Sequence, residues 1–398
     1  MDTTTRPAYV LGGYEAGLAV VRSLGRAGVP VISVRSSERE TAGYSRCAAT
    51  TVVVPDPADR TAEYADALLR LADRHGPGVV FPTTDESLEA VAAHHDRLSE
   101  RHILACPPES VAQGFLDKRY TAEIADREDV DGPRTAVPAS PDELEHLLGE
   151  LQFPCLAKPR ESYRYNRAFG TKMKRAENAD ELRAAWGEAH ELGIGMLIQE
   201  LIPGPETGGI NYNVYMVDGE PCVEFTSRKQ RLSPSNFGYP CAVVSAEVPE
   251  VVEPGRRIVR GLGIEGFANV EFKQDERDGR YKLMEVNGRP NMSGQLAVRC
   301  GVDFPLMTYR HLVHGLRPTP RPWSTGVHWT NDLTDVRVAA RRLRSGGLPV
   351  REGLAPYAAS HVFATFSLTD PEPFLARIGK RLDPRSVKTV PNPARDLA

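Results

Sequence analysis

Apolar positions follow two periods along this chain, and the change from one to the other marks out its elements. Ala8-Tyr9-Val10-Leu11 is a short continuous apolar run, and Gly12-Gly13-Tyr14-Glu15-Ala16-Gly17 turns from it into a helix predicted to reach about Ala27. Pro30-Val31-Ile32-Ser33-Val34 is the next strand. A strand, glycine turn, helix and strand in that order form a βαβ unit, which implies a parallel sheet with ligands near the carboxyl ends of its strands. Further on, Tyr64 to His75 is predicted as a helix and Gly78 to Pro82 as a strand. Thr83-Thr84-Asp85-Glu86 then opens another helix with a side-chain cap. Arg35, Ser36, Thr83, Thr84 and Asp85 fall at the mouth of this sheet, where caps and turns account for each of them individually.

After about residue 150 further strands follow. Phe153 to Pro159 is an apolar strand that ends in Lys158 and a proline, and a lysine closing a buried strand needs an anion. Met196 to Ile202 is a strand stopped sharply by Pro203-Gly204-Pro205. Pro221 to Phe225 is another, followed by the cationic run Thr226-Ser227-Arg228-Lys229-Gln230-Arg231, which by itself could be a solvated face. Phe267 to Lys273 and Tyr281 to Asn287 are joined by Asp275-Glu276-Arg277-Asp278-Gly279-Arg280, whose Asp-Gly pair marks a hairpin. Glu285 and Asn287 project from one face, and a turn centred near Asp278 sets Glu271 opposite them. Two carboxylates so close need a proton or a cation between them, and two glutamates with an asparagine carbonyl form a hard oxygen set suited to magnesium on phosphates. A solvated hairpin with scattered charges is the plain alternative. Gly288-Arg289-Pro290-Asn291, which follows, is an unusual cluster for a surface turn.

Composition narrows the function classes. The 398 residues, 41% of them hydrophobic, suffice for two or three domains with sizeable cores. A formal net charge of -4 gives no reason to expect nucleic acid or an anionic membrane as the main partner. With no apolar run of about 18 residues and no signal-peptide core behind Met1 to Arg6, the expected location is cytoplasmic. Cys47, Cys106, Cys155, Cys222, Cys241 and Cys300 are dispersed and expected as buried thiols. His94-His95 and the His311/His314 pair lack a third ligand at metal-binding spacing. The first glycine turn lacks G-x-G-x-x-G spacing, and Arg35-Ser36-Ser37 stands where a dinucleotide site carries an acidic residue.

Glu271 followed by Glu285-Val286-Asn287-Gly288-Arg289 resembles the metal-binding signature of the ATP-grasp ligases. The resemblance extends over roughly residues 8 to 320 and implies an α/β fold. It implies a pre-ATP-grasp parallel-sheet domain at 1–117, lobe A at 118–200, lobe B at 201–320, and an extension at 321–398 like that of D-aspartate-ligase-like enzymes. By resemblance, Lys118 and Lys158 hold the α and β phosphates of ATP. The backbone of Glu200, Leu201 and Ile202 meets the adenine edge, and Glu206 accepts from the ribose hydroxyls. Glu271, Glu285 and Asn287 hold magnesium, two ions by the family pattern, with manganese able to substitute. The family's glycine-rich phosphate loop is absent: Glu161 to Gly170 offers only Gly170, with Arg164, Arg167, Lys172 and Lys174 as cationic substitutes, or else a basic solvated loop. Arg289, Lys229 and Arg228 are the candidate catalytic cations, Arg289 foremost because a guanidinium binds a carboxylate bidentately.

The resemblance implies a ligase in which a substrate carboxylate attacks the γ-phosphate and an amine, such as an amino acid, displaces phosphate to leave an amide. An enzyme phosphorylating an enol oxygen of a cyclic ketone before amino-acid condensation, as in mycosporine formation, is kept open by Asn291-Met292-Ser293-Gly294. An ATP-binding regulator without turnover is kept open by the altered loop, and a homodimer is a family expectation.

Overall fold

The computed structural model describes residues 5–160, 162–235 and 237–382. The N-terminal part is a five-stranded parallel sheet of β1 (Ala8–Leu11), β2 (Val31–Arg35), β3 (Thr50–Val53), β4 (Val79–Pro82) and β5 (Ile103–Leu104), in the order β3-β2-β1-β4-β5. Every residue of β1 and β4 is buried, because crossover helices cover both faces of a parallel sheet. The helix Glu15–Arg26 follows the glycine turn as predicted. A Cβ on Gly17 would lie 2.2 Å from the Gly12 carbonyl oxygen, so this turn is closed by the lack of a side chain. Thr84 caps the helix Asp85–Ala93: its hydroxyl accepts from the Ser87 N–H, and Ser87 Oγ accepts from the Thr84 N–H. Thr83 donates to the Leu11 carbonyl at 2.7 Å. Both threonines thus hold the end of the sheet together.

A four-stranded antiparallel sheet follows, made of β6 (Thr135–Ala136), β7 (Cys155–Pro159), β8 (Lys174–Ala176) and β9 (Met196–Glu200) in the order β6-β9-β7-β8. Its core takes Leu182, Ala185 and Trp186 from the helix Ala179–Glu191. The stretch expected as an open basic loop from Glu161 to Gly170 is instead a helix over Ser162–Phe169, with Glu161 outside the described residues. Tyr165 and Phe169, four residues apart, explain it: their rings lie 4.5 Å apart and pack on the sheet, with Tyr165 1% exposed.

The largest sheet has seven strands: β10 (Gly209–Val217), β11 (Glu220–Ser233), β12 (Tyr239–Ser245), β13 (Gly266–Gln274), β14 (Tyr281–Asn287), β15 (His328–Thr330) and β16 (His361–Phe363), ordered β14-β13-β10-β11-β12-β15-β16. The cationic run Thr226–Arg231 lies inside β11, which continues well past Phe225. The predicted hairpin has the expected register, with Glu271 opposite Glu285 and Asn269 opposite Asn287, and a bulge follows at Met284. Segment 321–398 adds β15 and β16 to this sheet and sends the helix Asp332–Arg344 along β11; residues 383–398 lie outside the described part. Among the described residues no helix is long and apolar enough to cross a membrane.

Candidate active site

Alternation along the large sheet builds the site. Ile210, Tyr212 and Val214 of β10 and Ala268, Val270 and Phe272 of β13 face a hydrophobic core. One residue out of step with them, Asn211, Asn213, Asn269, Glu271, Glu285, Asn287 and Lys229 share the other face. The buried amides brace one another: Asn269 Nδ2 and Asn291 Nδ2 both donate to Asn213 Oδ1, at 3.2 and 3.0 Å.

Each glutamate of the hairpin pair has a lysine partner. Lys229 Nζ bonds Glu271 Oε2, and Lys118 Nζ lies 3.8 Å from Glu285 Oε1. Lys118 opens the helix Lys118–Arg127, whose N-cap Asp117 accepts from the Arg119 N–H and also pairs with Arg160. Burial pushes the Glu271 carboxyl up, but Lys229, Lys172 and Arg289 outweigh it and hold the group below the ordinary glutamate range. Two facing carboxylates with an adjacent asparagine carbonyl form a hard oxygen donor set that fits magnesium.

Lys158, the second lysine expected at the phosphates, is 7% exposed and donates to Gln199 Oε1 at 2.5 Å. Burial drives its pKa down to about 8, with Lys118 and Lys172 adding to the fall against Glu285 and Glu271. Lys172 Nζ sits 3.3 Å from the centre of the Tyr239 ring, and burial lowers its pKa as well. These lysines line a cavity of about 240 Å3 between the two antiparallel sheets, together with Leu201, Ile202, Glu206, Lys229, Glu271, Glu285 and Arg289. Asn287 lines the adjoining cavity, beside Lys118 and Glu285.

Several of the predicted site residues make bonds within the fold. Gly170, at φ +67, ends the helix Ser162–Phe169 with its N–H on the Asn166 carbonyl. The Glu200 carboxylate accepts from the Arg134 N–H and pairs with Arg277 at 2.6 Å, and its own N–H bonds the Arg134 carbonyl. The Ile202 carbonyl accepts from Lys273 Nζ at 2.8 Å. Arg228 lies on the core-side face of β11 and donates to the Thr207 carbonyl at 2.9 Å, while Lys229, one residue on, points to Glu271. Arg167 reaches Asp59 of the N-terminal part at 2.7 Å.

Three partners were not evident from sequence. Asp85, in the first turn of the helix capped by Thr84, binds Arg289 through Nε at 2.5 Å and Nη2 at 2.8 Å. Burial raises the Asp85 carboxyl, yet Arg289, Lys118 and Lys172 outweigh it and keep it ionised. Burial likewise disfavours the charged Arg289, and Asp85 overcomes this and holds the guanidinium firmly protonated. Arg342 bonds both oxygens of Glu206, at 2.7 and 2.8 Å. Gln199 holds Lys158. Only Asp85 carried a local signal, its place in a capping sequence at the sheet mouth.

Residues 195–334 match a family model described as "ATP-grasp in the biosynthetic pathway with Ter operon". The chain is 28% identical over 204 residues to a D-alanine–D-alanine ligase of Pseudomonas putida, covering 48% of this chain and 61% of that one. It is 26% identical over 263 residues to the D-aspartate ligase of Enterococcus faecium, covering 62% of each. The chain therefore spans about three fifths of the length of these relatives. In fold it is similar to the L-amino acid ligase of Bacillus licheniformis, with a TM-score of 0.61, 17% identity, and coverage of 78% of this chain and 75% of that one. Residues 195–334 thus carry the likeness to an ATP-grasp family, and the fold is similar to that of an amino acid ligase.

Proposed function

We propose that this chain is an ADP-forming ligase that activates a small-molecule carboxylate with ATP and couples it to an amine, such as an amino acid. The observation that carries the reading is the Glu271–Glu285 pair set across one hairpin, ringed by Lys118, Lys158, Lys172 and Lys229 with Arg289 beside it. That much positive charge around two carboxylates suits a polyphosphate and its metal better than it suits a structural ion pair. The similarity to amino-acid and D-aspartate ligases supports the choice of acid and amine as substrates.

In this reading Lys118 and Lys158 neutralise phosphate oxygens of ATP, and Leu201 and Ile202 border the base. Glu206 accepts from the ribose. Glu271, Glu285 and Asn287 would hold magnesium, which supplies charge withdrawal from the phosphates. Arg289, already aligned by Asp85, binds the substrate carboxylate. A carboxylate oxygen bonds to the γ-phosphorus as the bond to the β-phosphate oxygen breaks, giving an acyl phosphate and ADP. The amine nitrogen then bonds to the acyl carbon, phosphate leaves with the C–O electron pair, and the amine loses a proton. Lys229 and Arg289 stabilise the charge on the transferred group. Holding amine and acyl phosphate together removes the entropy of their encounter.

ADP release from magnesium ATP, measured across small carboxylates and cyclic ketones crossed with amino acids with Glu285→Gln as control, tests this. The expected result is release that needs one acid and one amine together and is absent in the variant. Release only with a ketone and an amino acid replaces acyl by enol activation. ATP binding with no Glu285-dependent release for any pair overturns the catalytic reading in favour of a regulator.

A further inference from the structure

We infer that Arg342 is a positioning residue for the nucleotide, and that the C-terminal segment through it completes the ATP site. This rests on the reading of Glu206 as the ribose acceptor. Arg342 lies on the helix Asp332–Arg344, beyond the 195–334 segment that matches the family. Its Nη2 bonds Glu206 Oε1 at 2.7 Å and Oε2 at 2.8 Å, and Oε2 also accepts from the Leu232 N–H at 3.2 Å.

The Glu206 side chain is 7% exposed, and a carboxylate so enclosed is costly to bury without a cation beside it. Arg342 supplies that cation from behind: Glu206 lines the nucleotide cavity, and Arg342 acts through it.

The helix that carries Arg342 is fixed to the strand that orients Glu206. Arg231 of β11 makes two bonds of 2.7 Å to Asp335, both side chains 3% exposed or less, and Tyr357 donates to Asp335 at 2.6 Å. The next residue of β11, Leu232, gives its N–H to Glu206. Arg342 also donates to Ser235 Oγ at 2.8 Å, in the connection that continues to Phe237 and Tyr239 on the cavity wall. One side chain thus ties helix, ribose acceptor and wall together.

Calorimetric binding of magnesium ATP, 2′-deoxy-ATP and 3′-deoxy-ATP tests this on the whole chain, comparing wild type with Arg342→Ala, Arg342→Lys, Glu206→Gln and the Ala/Gln double variant. Wild type is expected to prefer ATP. Arg342→Ala should weaken ATP binding about tenfold, the size of a lost charge-assisted bond, and leave the deoxynucleotides little changed, so that the preference collapses. Arg342→Lys should restore part of it, also serving if the alanine variant does not fold, and Arg342→Ala should add nothing once Glu206 is glutamine. Tighter ATP binding in Arg342→Ala, an unchanged affinity and preference, or an equal loss for all three nucleotides would each overturn the inference. Wild type that binds no ATP instead defeats the nucleotide reading on which the inference stands.

Discussion

On β10, Ile210, Tyr212 and Val214 point into a closed hydrophobic core, while Asn211 and Asn213 point the other way; on β13 the same step separates Val270 and Phe272 from Asn269 and Glu271. The two faces share one backbone and differ in what they contribute. The apolar face removes large side chains from water and stabilises the sheet. The polar face sets two glutamates opposite each other and gathers cations around them, an arrangement that opposes folding unless the charges are matched. Stability on one face offsets the cost of a prepared site on the other.

Substitutions one residue apart in phase should therefore have opposite signatures. Glu285→Gln should lower ATP turnover by roughly 10² to 10³-fold, the scale of removing one charge-stabilising group, and shift the unfolding free energy by less than about 0.5 kcal/mol. Phe272→Ala, on the apolar face, should cost about 3–5 kcal/mol in urea unfolding and leave the ATP affinity of the folded fraction unchanged. If both variants lose stability and activity alike, the division between faces fails.

The same logic separates two neighbours on β11. Lys229→Ala leaves Glu271 without its nearest cation, so its carboxyl should rise and magnesium ATP should bind about tenfold more weakly. Arg228→Ala removes a bond to a backbone carbonyl on the other face and should change ATP affinity by less than about twofold. Titration calorimetry on both variants checks this, and an equal loss would show that alternation does not decide function here.

A smaller effect concerns protons. Burial lowers the Lys158 pKa to about 8, so the free protein carries a protonated lysine below that pH and a neutral one above it. Phosphates favour the ammonium form. ATP binding should therefore take up about half a proton at pH 8 and almost none near pH 6, and affinity should fall as pH rises above 8. Calorimetry in buffers of different ionisation enthalpy measures the uptake; none at pH 8 would remove Lys158 from the phosphate site.

How much of this is legible in the sequence follows from how local each feature is. The hairpin, the Glu271–Glu285 opposition and the Thr84 cap are set within a few residues or by period two, and the structure has them as expected. The helix Ser162–Phe169 is hidden because its charged residues suggest a loop, while its packing is carried by Tyr165 and Phe169 among the described side chains. The Asp85–Arg289 and Arg342–Glu206 pairs span 204 and 136 positions, and no local pattern encodes a partner at that distance. Likewise β15 and β16 are three residues each, too short to be placed in a sheet by periodicity.

The most direct test of the central claim, that the polar face is a magnesium-ATP site, is calorimetric ATP binding with and without magnesium in wild type and in Glu271→Gln and Glu285→Gln. The account predicts magnesium-enhanced binding in wild type and loss of that enhancement in both variants. The same magnesium dependence in all three proteins would contradict it.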